Sequence, residues 1–210
     1  MRPLFITGIG TDVGKTVVAA IVSEALAGVY WKPVQAGFDQ GTDTAWVKDR
    51  LSGGPDRVAP EVYKLKMPAS PHIAAREEGV RISLDVIQEA MPPVRPLVVE
   101  GAGGLMVPLN EREFVIDLIK KLDARVVLVS RNYLGSINHS LLTAAVCKAH
   151  GLDVVGWVFN DQYLDYEQEI GEWSGLRKIV SIPMSQSPDK EFVAEQAGLI
   201  RPWLTSLLLT

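Results

Sequence analysis

The sequence has one cysteine, Cys147, and so cannot close a disulfide within the chain. That absence points to a reducing compartment, the cytoplasm. Cys147 follows Leu141-Leu142-Thr143-Ala144-Ala145-Val146, a stretch that reads as helix, where a packed small apolar side chain fits better than a nucleophile. There is no excess of positive charge: 21 Lys and Arg against 25 Asp and Glu give a net charge of -4. A nucleic-acid protein would show a basic face, so none is expected as a partner. A phosphate ligand is still open, because a few placed lysines suffice. No apolar run is long enough to span a bilayer, so no membrane partner is expected. The short apolar start, residues 1–8, runs straight into a glycine-rich loop and does not read as a leader. The leucines at 207–209 read as a helix end that packs.

What is present is enough apolar material, 47%, to fill the core of one domain spanning residues 1–210. Short apolar runs rich in branched residues alternate with amphipathic segments. Strands are expected at 3–7, 29–34, 61–65, 96–100, 125–129, 154–159 and 178–182. Helices are expected at 15–27, 42–51, from Ser70-Pro71 onward, 83–90, 114–122, 137–150, 167–173 and from 192, the last interrupted by Pro202. This alternation predicts an α/β fold: a mostly parallel sheet with helices on both faces, in three layers.

The strongest chemical signal is Gly8-Ile9-Gly10-Thr11-Asp12-Val13-Gly14-Lys15-Thr16, between a predicted strand and a predicted helix. Glycines there let backbone N–H groups turn inward around phosphate oxygens, and the helix N-terminus adds partial positive charge. Lys15 would reach the terminal phosphates and Thr16 would offer its hydroxyl to magnesium. The loop is one residue longer than the usual spacing when counted from Gly8, with Ile9 in the slot where glycine is customary.

Magnesium needs further oxygen ligands. Glu100 ends a predicted strand, where ligands of such sheets bind, though a solvated strand-end charge would look the same. Asp43 follows the second strand and is either a metal ligand or part of a helix start with Thr42. Lys32 interrupts an apolar strand near its end. A buried lysine needs an anionic partner, and a lysine snorkelling at a sheet edge is the other reading.

The phosphate loop, together with Lys32-Pro33-Val34, Ser70-Pro71-His72, Glu100-Gly101-Ala102-Gly103-Gly104, Leu134-Gly135-Ser136-Ile137-Asn138-His139 and Gly156-Trp157-Val158-Phe159-Asn160-Asp161, resembles the dethiobiotin synthetases, a P-loop NTPase family. The matches keep the family's order over roughly residues 4–184. The resemblance implies ATP- and magnesium-dependent carboxylation and ring closure of 7,8-diaminononanoate with CO2 or bicarbonate. It implies Lys32 and Lys15 as catalytic residues, and Thr16, Asp43 and Glu100 as magnesium ligands. ATP contacts would come from Asp12, Val13, Gly14, Lys15, Thr16, Val17, Asp43, Glu100, Gly101, Ala102, Gly103, Asn160, Asp161 and Pro183, with Asn160 reading adenine. The diamine would meet Thr11, Lys32, Ala36 and Gly103. Its carboxylate would meet Leu134, Gly135, Ser136, Ile137 and Asn138 of a neighbouring subunit in a homodimer. Ala36 departs from the Ser or Thr expected before Gly37, and the resemblance is loose after Pro183. The rival expectation is a nucleotide-switched partitioning or regulatory module, for which a lysine early in the loop is missing.

Overall fold

The computed structural model describes residues 1–161 and 164–208. In chain order it contains β1 (Leu4–Gly8), α1 (Lys15–Ala25), β2 (Val29–Trp31), β3 (Val34–Ala36), α2 (Asp43–Lys48), β4 (Val58–Ala59), β5 (Tyr63–Leu65), α3 (Pro71–Glu77) and α4 (Leu84–Glu89). There follow β6 (Leu97–Gly104), α5 (Val115–Lys121), β7 (Arg125–Arg131), α6 (Ser136–Ala149), β8 (Val154–Asn160), α7 (Glu167–Ser174), β9 (Lys178–Ile182) and α8 (Lys190–Leu208). Seven strands form one parallel sheet in the order β4-β2-β6-β1-β7-β8-β9, and β3 and β5 form a separate parallel pair.

Strand side chains alternate between two apolar cores, as the pleat requires. Leu4 and Ile6 of β1 join Val98, Val127 and Val129 beneath α1, α2 and α8. Phe5 joins Leu97, Val99, Val126, Leu128, Trp157 and Phe159 beneath α3 to α7. Both faces are covered, so the central strands place apolar side chains on both sides, as parallel sheets demand. Among the described residues no helix is long and apolar enough to cross a membrane.

Four elements depart from the sequence reading. β4, an edge strand of the main sheet, was not expected. The expected strand 29–34 is two strands, because Pro33 offers no N–H and restricts Lys32 before it. β2 stays in the main sheet, while β3 leaves it to pair with β5. The expected strand 96–100 continues through the glycines to Gly104, shifting register against β1 between Ile6 and Gly8. Glu100 is therefore inside a strand, not at its end. α8 runs through Pro202 without a break, because Val193, Ala197, Ile200 and Leu204 bury one continuous stripe in the core shared with α1. Tertiary packing outweighs the lost hydrogen bond there. The leucines at 207–209 lie outside the residues whose side chains are described.

Cys147 is 1% exposed on α6, and burial pushes its thiol up to about 12. The folded chain is expected to resist iodoacetamide at about pH 8, where an exposed thiol reacts readily. The denatured chain should label fully. Stoichiometric labelling of the folded protein, read by mass, would contradict the packing described.

Candidate functional site

The loop between β1 and α1 is shaped by its backbone. Gly14 has φ 86°, and a side chain there would collide with the Asn160 amide. Only glycine meets both conditions. Asp12 also has positive φ, 56°. α1 has no acidic residue in its first turn, which leaves its N-terminal N–H groups and their positive potential to an anion. Lys15 is 7% exposed and folds back so that Nζ donates to Gly10 O at 2.7 Å. Burial holds the Lys15 ammonium below its ordinary value; Glu100 opposes this and Lys32 adds to it.

Beside the loop, β2 and β6 are neighbours, and this brings residues far apart in sequence to one point. Lys32 Nζ bridges the carboxylates of Asp43 and Glu100, at 2.9 Å from Glu100 Oε1. Glu100 also accepts from Thr16 Oγ1 at 2.9 Å and from the Tyr30 hydroxyl at 2.8 Å. Lys32 and Glu100 are 6% and 1% exposed, so neither is a solvated surface charge. Burial alone would lower Lys32, but Glu100 and Asp43 outweigh it and hold the ammonium above its usual range. Burial, with Glu100 beside it, pushes the Tyr30 phenol well up, so it remains a neutral donor. Thr42 takes the N-cap of α2 by accepting from Ala45 N. Asp43 is thereby released to face Lys32.

Lys15, Thr16, Lys32, Asp43 and Glu100 line a cleft of about 830 Å³, together with Thr11, Asp12, Gly14, Val17, Ala36, Ala102 and Gly103. One hydroxyl and two carboxylates are hard oxygen donors of the kind magnesium takes. Among the described residues no three His, Cys, Asp or Glu side chains gather as a metal cage. A magnesium ion here would have phosphate and water oxygens as its remaining ligands.

A second hollow, about 220 Å³, adjoins the loop's other side. Val13, Asn160, Asp161 and Pro183 line it, and Asp12, Gly14 and Val17 border both hollows. Asn160 Nδ2 donates to Val13 O at 2.7 Å, tying β8 to the loop. Arg131 Nη2 pairs with Asp161 at 3.1 Å.

Several expected residues are placed elsewhere. Gly101 lines neither hollow: a Cβ on it would stand 2.7 Å from the Phe5 ring, so its missing side chain makes room for the core. Leu134 to Asn138, expected to serve a neighbouring subunit, line neither hollow of their own chain, and Leu134 is 89% exposed. The Ser136 hydroxyl is buried against the Tyr166 hydroxyl at 2.8 Å. Conversely, the sequence reading missed Gln35, whose Oε1 accepts from Asp43 N at 3.2 Å and whose Nε2 donates to Gly37 O. It also missed the walls made by Trp46 and Pro188, and by Arg131, Met184, Ser185 and Phe192. Gln35 stood beside Lys32-Pro33-Val34, which was the one available signal.

Fold and loop together define a P-loop nucleotide-binding protein, and the AAA domain family matches residues 2–191. A ParA family ATPase from Chlorobium tepidum shares the fold with a TM-score of 0.58 over 93% of this chain and 97% of that one, at 11% identity. The sequence is much closer to the ATP-dependent dethiobiotin synthetase BioD of Cytophaga hutchinsonii, 45% identical over 94% of this chain and 96% of the relative. The same enzyme of Christiangramia forsetii is 43% identical over 98% and 99%. The chain belongs to the ATP-dependent dethiobiotin synthetase family.

Proposed function

We propose that this chain is an ATP-dependent cyclo-ligase that converts 7,8-diaminononanoate, CO2 and ATP to dethiobiotin, ADP and phosphate. The observation that carries the reading is the convergence of Lys15, Thr16, Lys32, Asp43 and Glu100 beside one phosphate loop. One amine adds to CO2 and loses a proton, giving a carbamate. A carbamate oxygen attacks the γ-phosphorus and ADP leaves. The second amine attacks the carbon of the mixed anhydride and loses a proton, phosphate leaves, and the cyclic urea closes. The difficulty is bringing an anionic carbamate to an anionic phosphate, which needs positive charge already in place. Lys15 and Lys32 supply two buried ammonium groups on the wall of the cleft. Magnesium, held by Thr16, Asp43 and Glu100, would supply charge neutralisation on the phosphates. No side chain need form a covalent bond; the residues position and neutralise.

In this reading Val13, Asn160, Asp161 and Pro183 surround the adenine, and Thr11, Ala36 and Gly103 border the diamine. Leu134 to Asn138 hold the substrate carboxylate in the site of a second copy, within a cytoplasmic homodimer of single-domain subunits. The N-terminal end of α6 suits an anion, and the exposure of Leu134 and Leu142, at 89% and 57%, suits a covered face.

Purified protein with ATP and magnesium should release phosphate only when diamine and bicarbonate are both supplied, with dethiobiotin appearing by mass. Phosphate release that ignores both substrates, with no dethiobiotin, would favour a nucleotide-switched module and overturn the reading.

A further inference from the structure

Among the described residues only two carboxylates are fully buried, Glu100 in the cleft and Glu167 away from it. Glu167 is the first residue of α7 and is 3% exposed. A helix start gains from an acidic residue even at the surface, so the dipole alone gives no reason to bury one. Burying a carboxylate is costly unless donors meet it. Here donors meet it from two directions. Oε1 accepts from Asn132 Nδ2 at 3.2 Å. Oε2 accepts from Ser181 Oγ and pairs with Lys178 Nζ.

Asn132, itself 2% exposed, directly follows β7 and opens the turn into α6. The residue before Glu167 grips the same turn: the Tyr166 hydroxyl donates to Tyr133 O at 3.1 Å and meets Ser136 Oγ at 2.8 Å. Ser181 lies in β9, two residues before Pro183 in the second hollow. One carboxylate thus spans the start of α6 and the strand that feeds the nucleotide-side loop.

We propose that Glu167 is a positioning residue, one oxygen fixing the turn that starts α6 and the other fixing β9 ahead of the Pro183 loop. Which ligand each arm serves rests on the proposed function: the α6 arm the diamine carboxylate, the β9 arm ATP. The charge matters because both oxygens must accept at once and Lys178 must stay paired.

The test uses the full chain, with calorimetric ATP affinity, the diamine KM and kcat measured for four variants. Ser181→Ala should weaken ATP about tenfold and leave the diamine KM within about twofold. Asn132→Ala should do the reverse. Glu167→Ala should weaken both, and Glu167→Gln, which keeps the oxygen facing Asn132, should recover the diamine KM. All should keep kcat within about threefold. If the two single-arm variants move both constants together, or move neither while the melting temperature falls, Glu167 is structural only and the proposal is wrong. If the wild type makes no dethiobiotin, the functional reading fails on its own. The ATP affinities of Ser181→Ala and Asn132→Ala would then still decide the β9 arm, because only the first should change.

Discussion

Lys32→Ala is expected to cut dethiobiotin formation by roughly a thousandfold, the upper range for losing one preorganised charge donor. ATP binding should change little, because the phosphate loop and Lys15 are untouched. The reason lies in where Lys32 stands: its Nζ is shared by Asp43 and Glu100. Removing it strips the cleft of one of its two ammonium groups and leaves the two carboxylates facing each other. A carbamate would then approach the γ-phosphate against more negative charge than before. Product detection by mass, alongside ATP calorimetry and a melting curve, separates lost chemistry from lost fold. Normal turnover by a folded Lys32→Ala protein would remove Lys32 from the mechanism.

Glu100→Ala is expected to have the largest effect on stability. Glu100, 1% exposed, accepts from Thr16, Tyr30 and Lys32. Its loss leaves Tyr30 with a buried hydroxyl and Lys32 with only Asp43. Breaking a buried pair from one side costs about 3–5 kcal/mol. Typical domains hold about 5–15 kcal/mol in reserve, so the variant should melt far lower and make no product. Glu100→Gln keeps the shape and one acceptor and should lose about half as much. Urea midpoints for the two variants check the order. A Glu100→Ala protein as stable as wild type would mean that the pocket relaxes or admits water.

The architecture was largely legible because a sheet buried on both faces writes apolar runs into the chain. Where it was not legible, competing forces met in one residue. The run 29–34 is uniformly apolar around Lys32, and composition does not say which sheet each half joins; Pro33 was the only mark of the break. The glycines after Glu100 have low strand preference and Gly103 has φ 66°, yet Gly104 pairs with Gly8 of β1 beyond the register shift. Pro202 breaks helices in isolation, and the stripe packed against α1 overrides it.

The site was legible where one local motif carries it, as in the run from Gly8 to Thr16. Lys32 was conspicuous as a charge inside an apolar run, and the structure gives it the anionic partners it needs, buried Glu100 and half-buried Asp43. Asp43 had two local readings; Thr42 takes the cap, and Asp43 pairs with Lys32. Gln35, Tyr30 and the Glu167 network were not legible. Each acts through a contact fixed by folding, and each looks locally like an ordinary core or cap residue.

The strand order has a consequence for how the molecule comes into being. β1 is made before the other strands described, yet its two neighbours are β6 and β7. Thr16 and Glu100, which meet in the cleft, are separated by 84 positions in the chain. Until synthesis has passed β6 this apolar strand has neither edge occupied, and until it has passed β7 one edge stays open; open edges of that kind invite aggregation. Such distant pairings also slow folding. Nascent chains stalled between β2 and β6 should therefore be the most dependent on chaperones, and no N-terminal piece that stops short of Glu100 can carry a working pocket.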